Sequence, residues 1–249
     1  MRLNERHIVV TGAGTGIGRA IARGLAREGA QVVCAGRTAG TLAETVKLIA
    51  TDGGQAVAVP TDIRDMASVE RLLEKAVGHF GRAHAVIANA GGSISVKPFL
   101  ELTGEDWVAD RSTNLDGAFN TGIVFARHMA SHGGGNIVFV TSQLSEVARP
   151  NHSAYCAAKG GVRMLARAMA IDLAGHRIRV NCLAPGPVLV ERMAKRHTPE
   201  TMERENRLIP LGRMGDPEDM VGAAIFLASD ESAFVTGTTL MLDGGFVAW

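Results

Sequence analysis

Short apolar, β-branched runs recur seven times along the chain, at 6–11, 31–36, 55–60, 84–89, 136–141, 177–183 and 238–242. Each of the first six is followed by a longer stretch of helical period, near 17–28, 39–51, 66–79, 105–131, 154–174 and 217–228. This alternation admits little besides repeated strand–helix–strand units, because parallel neighbours need a crossover of about a dozen residues or more. The expectation is an α/β fold: one doubly wound, seven-stranded parallel sheet with helices on both faces. Gly53-Gly54 and Gly133-Gly134-Gly135 read as turns that end a helix before the third and fifth strands. No composition shift or linker interrupts the pattern, so residues 1–249 read as a single domain.

Composition removes whole classes of function. The 26 Lys and Arg against 25 Asp and Glu leave a formal charge of +1, too little to draw a nucleic acid by counterion release. The first apolar run, Ile8-Val9-Val10, is too brief for a signal-peptide core, and no stretch approaches the ~18 apolar residues of a membrane span. Cys34, Cys156 and Cys182 are widely spaced and odd in number, which reads as buried free thiols in a reducing, cytoplasmic compartment. His128 and His132 share a helical face but have no third ligand nearby in sequence, so no metal site is expected and a polar helix face is the plainer reading.

One segment breaks the rhythm. Pro185 to Asp216 carries four prolines and many charges, and a long excursion of this kind in an α/β domain is usually a binding loop or lid, here about 186–216.

The first strand runs into Thr11-Gly12-Ala13-Gly14-Thr15-Gly16-Ile17-Gly18, spaced GxxxGxG through Gly12, Gly16 and Gly18. Such a strand-to-helix turn lets a pyrophosphate approach amides at the positive end of a helix, although a plain tight turn or a methyltransferase-type loop would use the same glycines. At the end of the fifth strand stands Ser142; thirteen residues on come Tyr155, the chain's single tyrosine, and Lys159 on the same helix face. A phenol ordinarily titrates near 10, and an adjacent ammonium favours the phenolate by ~1–3 units, which makes the pair a tunable acid/base. Alone, Tyr-x-x-x-Lys is also common on solvated helix faces. Ser142, presented from a strand's carboxyl end, is placed to hydrogen-bond the same substrate oxygen.

With these motifs, and with Thr61-Asp62-Ile63, Asn89-Ala90-Gly91, Thr113-Asn114-Leu115, Pro185-Gly186 and Leu242-Asp243-Gly244-Gly245, the chain resembles the short-chain dehydrogenase/reductase family from Thr11 to Gly245. The resemblance implies a Rossmann fold of strand order 3-2-1-4-5-6-7, a nicotinamide cofactor, and a catalytic tetrad of Asn114, Ser142, Tyr155 and Lys159. In that family Tyr exchanges the proton with the substrate hydroxyl or carbonyl and Ser orients that oxygen. Lys holds the nicotinamide ribose and lowers the Tyr pKa, and Asn props a water. By the same resemblance Asp62 and Ile63 meet the adenine, Asn89, Ala90 and Gly91 line the cofactor cleft, and Pro185, Gly186 and Val188 lie along the cofactor. Read without the family, Asp62 would equally cap a helix beginning near Asp65, Asn114 would kink the 105–131 helix around a water, and Asn89-Ala90-Gly91 would be a strand-ending turn. Two positions depart from the pattern: Val190 stands where a Thr usually reaches the carboxamide, and Thr15 where many NADP users carry Arg or Lys.

After the second strand, Gly36 occupies the site where NAD-selective relatives hold an Asp, and Arg37 and Thr38 follow, suited to a 2′-phosphate. NADP(H) is therefore the expected cofactor, with NAD(H) possible. The reaction expected is hydride exchange with a secondary alcohol or ketone: a sugar, polyol, hydroxy acid or 3-oxoacyl compound. A non-catalytic dinucleotide-sensing scaffold is the alternative from another class. Ser93, Arg149, His152, Arg192 and Arg196 are the substrate candidates, and they favour an anionic or heavily hydroxylated small molecule over a long apolar one; the bland reading of the excursion's charges is a solvated face laced by i,i+4 pairs. A homotetramer built through 105–131 and 154–174 is expected from the family, with Val162, Leu165, Ala166, Met169 and Ala170 as its stripe or as ordinary core.

Overall fold

The computed structural model describes residues 1–191 and 198–248. Its strands are β1 (His7–Thr11), β2 (Gln31–Gly36), β3 (Gln55–Pro60), β4 (Ala85–Ala88), β5 (Gly135–Val140), β6 (Ile178–Pro185) and β7 (Thr239–Leu242). They form one sheet in the order β3-β2-β1-β4-β5-β6-β7, and every neighbouring pair is parallel. The crossovers are α1 (Gly16–Arg27), α2 (Ala39–Thr51), α3 (Met66–Phe80), α4 (Gly104–Arg111), α5 (Gly117–Ser131), α6 (Ser153–Asp172), α7 (Pro199–Arg207) and α8 (Val221–Ala228).

Alternation along the strands divides the core in two. Ile8, Val10, Val32, Cys34, Ile87 and Val138 point to the side covered by α1, α2 and α8. Val9, Val33, Val86, Ile137 and Phe139 point to the side covered by α3, α5 and α6. Phe125 and Phe139 are fully buried there, each worth ~1.5–3 kcal/mol of transfer free energy. Val162, Ala166 and Ala170 of α6 belong to this second core, so most of that stripe is spent inside the chain.

Two helical expectations are corrected. The 105–131 stretch is interrupted by a π-helical turn at Ser112–Asp116 between α4 and α5. The 217–228 stretch begins as a 3₁₀ turn at Pro217–Met220, where Pro217 lies in the first turn. Cys34 and Cys182 are buried, and burial pushes their thiols up to about 12 and about 11; Cys156, in the first turn of α6 and outside both cores, is half-buried, contrary to the sequence reading.

At the amino ends of the strands the histidines work as hydrogen-bond acceptors. His7 N donates to His84 Nδ1 at 3.0 Å, and Ala83 N donates to His128 Nε2 at 3.2 Å. His128 stacks on His132 with ring centroids 4.1 Å apart. His128 is half-buried by that bond while His132 is exposed, in keeping with a polar helix face. Among the described residues no helix is long and apolar enough to cross a membrane.

Candidate active site

The sheet's carboxyl ends open between β1 and β4, where successive connections leave in opposite directions and α/β sheets hold ligands. The floor of that opening is tied together by one hydroxyl: Thr11 Oγ1 accepts from Asn89 N and Ala90 N, each at 3.0 Å. Asn89 Nδ2 returns the contact to Thr11 O at 2.9 Å. Asn89 and Ala90 therefore lock β4 to β1, which is more than a strand-ending turn.

Gly12 has φ +67°, and Gly18 packs so close that a Cβ there would lie 2.2 Å from Gly12 O. Arg19, which sequence reasoning passed over, holds the turn by donating to Gly14 O at 2.6 Å while pairing with Glu44 at 2.8 Å. Thr15 is the exposed N-cap of α1 and makes no side-chain cap, so the helix offers its first-turn amides outward past Gly16 and Ile17. An open helix N-terminus above a glycine cradle suits a dinucleotide pyrophosphate. Val190 reaches the same turn: a Cβ on Gly16 would come within 3.1 Å of its Cγ1.

Farther along the opening, exposed Arg37 and Arg64 line a cleft of about 340 Å³ with Gly91, Gly92 and Thr113. Thr38 is exposed at the start of α2. Arg64 grips Asp62 at 2.5 Å, and its guanidinium holds that carboxyl below the usual carboxylate range. The α3 cap is Asp65, which accepts from Ala67 N at 3.1 Å, so Asp62 is free of that duty. Ile63 is buried against Gly117, and its carbonyl accepts from Asn120 Nδ2 at 3.0 Å.

Asn114 sits inside the π turn and is 1% exposed. Its Nδ2 donates to Asp110 O and to Gly92 O, each at 3.0 Å, and its Oδ1 accepts from Gly92 N at 2.9 Å. The π turn opens where the Asn114 side chain bonds the Asp110 carbonyl one turn back. Asp110, fully buried and absent from the sequence reading, accepts from Ser95 N at 2.9 Å and Ile94 N at 3.2 Å. Together Asn114 and Asp110 fix residues 92–95, which carry Ser93. Ser93 Oγ is buried without a hydrogen-bond partner among the described residues, as is Gln143 Oε1 beside Ser142.

Lys159 closes the far wall. It is 4% exposed, donates from Nζ to Val140 O at 2.9 Å, and lies 5.8 Å from the Tyr155 ring centroid. Burial pushes its ammonium down to about 8. A Cβ on Gly91 would come within 2.7 Å of Asn114 Oδ1 and 3.2 Å of Lys159 Nζ, so these residues share one small space that needs a glycine. Ser142 Oγ accepts from Leu144 N at 3.1 Å, which leaves its proton to be donated.

The later segments frame the mouth. Pro185 ends β6, and Gly186 packs so tightly that a Cβ would lie 2.5 Å from Asp243 Cα. Buried Val188 pairs with Gly215, closing the base of the excursion. His152, the N-cap of α6, donates from Nδ1 to Pro150 O at 2.7 Å. Arg149 is bonded to Glu205 of α7. Arg192 and Arg196 lie outside the described residues.

A family profile described as "Enoyl-(Acyl carrier protein) reductase" matches residues 12–247. The D-threitol dehydrogenase of Mycolicibacterium smegmatis is 34% identical over 98% of this chain and 94% of its own length. The cis-4-hydroxycyclohexanecarboxylate dehydrogenase of Sinomonas cyclohexanicum is 39% identical over 98% of this chain and 97% of its own length. Among solved structures, a putative NAD(P)-dependent gluconate 5-dehydrogenase from Beutenbergia cavernae with bound NADP superposes with a TM-score of 0.93 at 41% identity, covering 99% of this chain and 98% of its own. Likeness of this level, sustained across the full length of both partners and shared by sequence and fold, makes the chain a member of the short-chain dehydrogenase/reductase family.

Proposed function

We propose that the chain is an NADP(H)-dependent oxidoreductase that interconverts a secondary alcohol and a ketone on a small hydroxylated molecule such as a sugar or polyol. One observation carries the reading: Lys159 lies 5.8 Å from the Tyr155 ring centroid, shares the space over Gly91 with Asn114, and bonds the carbonyl of Val140, two residues before Ser142 at the carboxyl end of the sheet. Asn89, Ala90, Gly91, Pro185, Gly186 and Val188 would hold the cofactor along the cleft, with Asp62 and Ile63 toward the adenine and Arg37 and Thr38 toward a 2′-phosphate. The nicotinamide, when bound, supplies or accepts hydride.

The protein's share is proton transfer and orientation. Lys159, still mostly protonated at neutral pH with its value near 8, favours the Tyr155 phenolate electrostatically. Tyr155 takes the proton of the alcohol or returns it to the ketone. Ser142 donates its remaining proton to the same oxygen and fixes the reacting carbon toward the cofactor face. Asn114 keeps Gly92 and Ser93 in place.

The names of relatives support hydroxylated substrates, threitol among them. Three free cysteines suit the cytoplasm. Exposed Leu100, Trp107, Val108 and Phe119 on and beside α4 and α5, with Met164 and Ile171 on α6, favour assembly of a homotetramer, which light scattering tests. The decisive experiment is a screen of NADP and NAD against alditols, aldoses, aldonates and 3-oxoacyl esters, following absorbance of the reduced cofactor. Turnover of a hydroxylated member with a higher kcat/KM for NADP than for NAD is the expected result; cofactor binding without turnover would favour a sensing role.

A further inference from the structure

Of the charged residues on α7, the one turned inward is an acid. Glu205 is 4% exposed, whereas Arg204 and Arg207 face solvent and Arg207 pairs with Glu203 at 2.5 Å. Glu205 is bonded to Arg149, whose side chain remains 36% exposed. Arg149 lies on the loop that joins Ser142 to Tyr155, and that loop is tied on both sides. Asn151 O accepts from Lys97 N at 3.1 Å on the Ser93 side, and Arg149 meets α7 on the other.

Neither partner is loosely held. Thr198 caps α7 through a reciprocal bond with Thr201, and Asn206 Oδ1 accepts from Met214 N at 2.8 Å just past Glu205. Ile209 is buried against Gly244. A carboxylate ligand reaching for Arg149 would therefore meet a second carboxylate already on that guanidinium and largely withdrawn from water. Displacing Glu205 would strand its charge, and sharing Arg149 would crowd two like charges. Hydroxyl groups bring no such conflict.

We infer that Glu205 is a specificity-determining residue: by neutralising Arg149 it restricts the site to uncharged hydroxylated substrates and disfavours their carboxylate counterparts. This rests on the functional reading above and names the substrate class within it.

Calorimetric titration of the full chain with NADP bound tests it, using matched ligands: D-threitol against D-threonate, D-glucitol against D-gluconate, and galactitol against D-galactonate. The wild-type protein should bind at least one alditol tenfold or more tightly than its aldonate. Glu205→Gln, close in shape and able to bond Arg149, should shift that ratio at least tenfold toward the aldonate with cofactor affinity unchanged. The double variant Arg149→Met/Glu205→Gln should lose the gain, which a purely structural role for Glu205 would not produce. A wild-type preference for the aldonates, an unchanged ratio in Glu205→Gln, or binding of none of the six ligands overturns the inference. If Glu205→Gln does not fold, the wild-type ratio decides. Absence of turnover for any alcohol or ketone with either cofactor counts separately, against the functional reading, while the binding ratios still decide this one.

Discussion

Lys159 Nζ lies 5.8 Å from the Tyr155 ring centroid while it donates to the Val140 carbonyl, so the ammonium is anchored by the sheet and faces the phenol. Tyr155→Phe keeps the ring and removes the hydroxyl that trades the substrate proton. Turnover should fall by ~10²–10⁴ with cofactor affinity retained, as read by steady-state kinetics and cofactor fluorescence. Lys159→Met should move the limb of the oxidation pH profile assigned to Tyr155 upward by ~1–3 units. Turnover of Tyr155→Phe within tenfold of wild type would remove the phenol from the mechanism.

Cofactor choice turns on Gly36 and Arg37. A Cβ at Gly36 meets Leu42 Cδ2 at 3.5 Å and Gly12 Cα at 3.9 Å, ordinary contacts, so Gly36→Asp fits without moving the strand. Its carboxylate should accept from a ribose 2′-hydroxyl and repel a 2′-phosphate, shifting kcat/KM selectivity toward NAD by tenfold or more. A parent enzyme that already prefers NAD contradicts the assignment of Arg37.

Asp110→Ala removes the acceptor for Ile94 N and Ser95 N. Two hydrogen bonds are at stake, one to the buried Ser95 amide and one to the partly buried Ile94 amide, so stability should drop by about 1–3 kcal/mol in chemical denaturation. The loosened Ser93 segment should raise substrate KM more than it lowers kcat. A variant with parental stability and KM would show that residues 92–95 are held by other means.

Acid should weaken the fold through His84. Burial, reinforced by Arg82, His7 and Arg6, pushes its value down to about 4 from 6.5. His128 is also lowered, by burial and then by His132 and Arg82. Between pH 6.5 and 4 the unfolded chain binds protons that the native rings do not, so stability is full above that window and is lost as pH falls through it. The His84 share is about 1–2 kcal/mol once the ring's partial exposure is allowed for. Denaturation midpoints at pH 7.5 and 5 measure this, and His84→Gln, which keeps an acceptor for His7 N, should flatten the slope.

The sheet was legible because parallel strands demand crossovers, and apolar runs alternating with helical periods leave few other arrangements. Tyr155 and Lys159 were legible because residues four apart on a helix share a face. What escaped was set by contacts distant in sequence. The kink at Asn114 was legible, but its bond to Gly92 was not, nor was the role of Asp110, which depends on amides fifteen and sixteen residues away. Arg149 read only as a residue beside the substrate, because its partner, Glu205, lies 56 positions on, upon a helix whose inward face is chosen by packing. Asp110 stands one helical turn before Asn114, a spacing visible in the sequence; nothing in the local pattern points to Glu205.

The π turn between α4 and α5 holds one residue more than the α-helical turn it replaces. Removing one residue there, Thr113 for instance, would restore an unbroken helix with better backbone bonding. It would also rotate everything before the deletion by about 100° relative to α5, because each residue accounts for that much of a turn. Asp110 and the segment it holds would then swing away from Asn114 and Lys159. The chain thus trades helical regularity for the alignment of its cleft, and a sequence selected only for stability would be free to discard that extra residue.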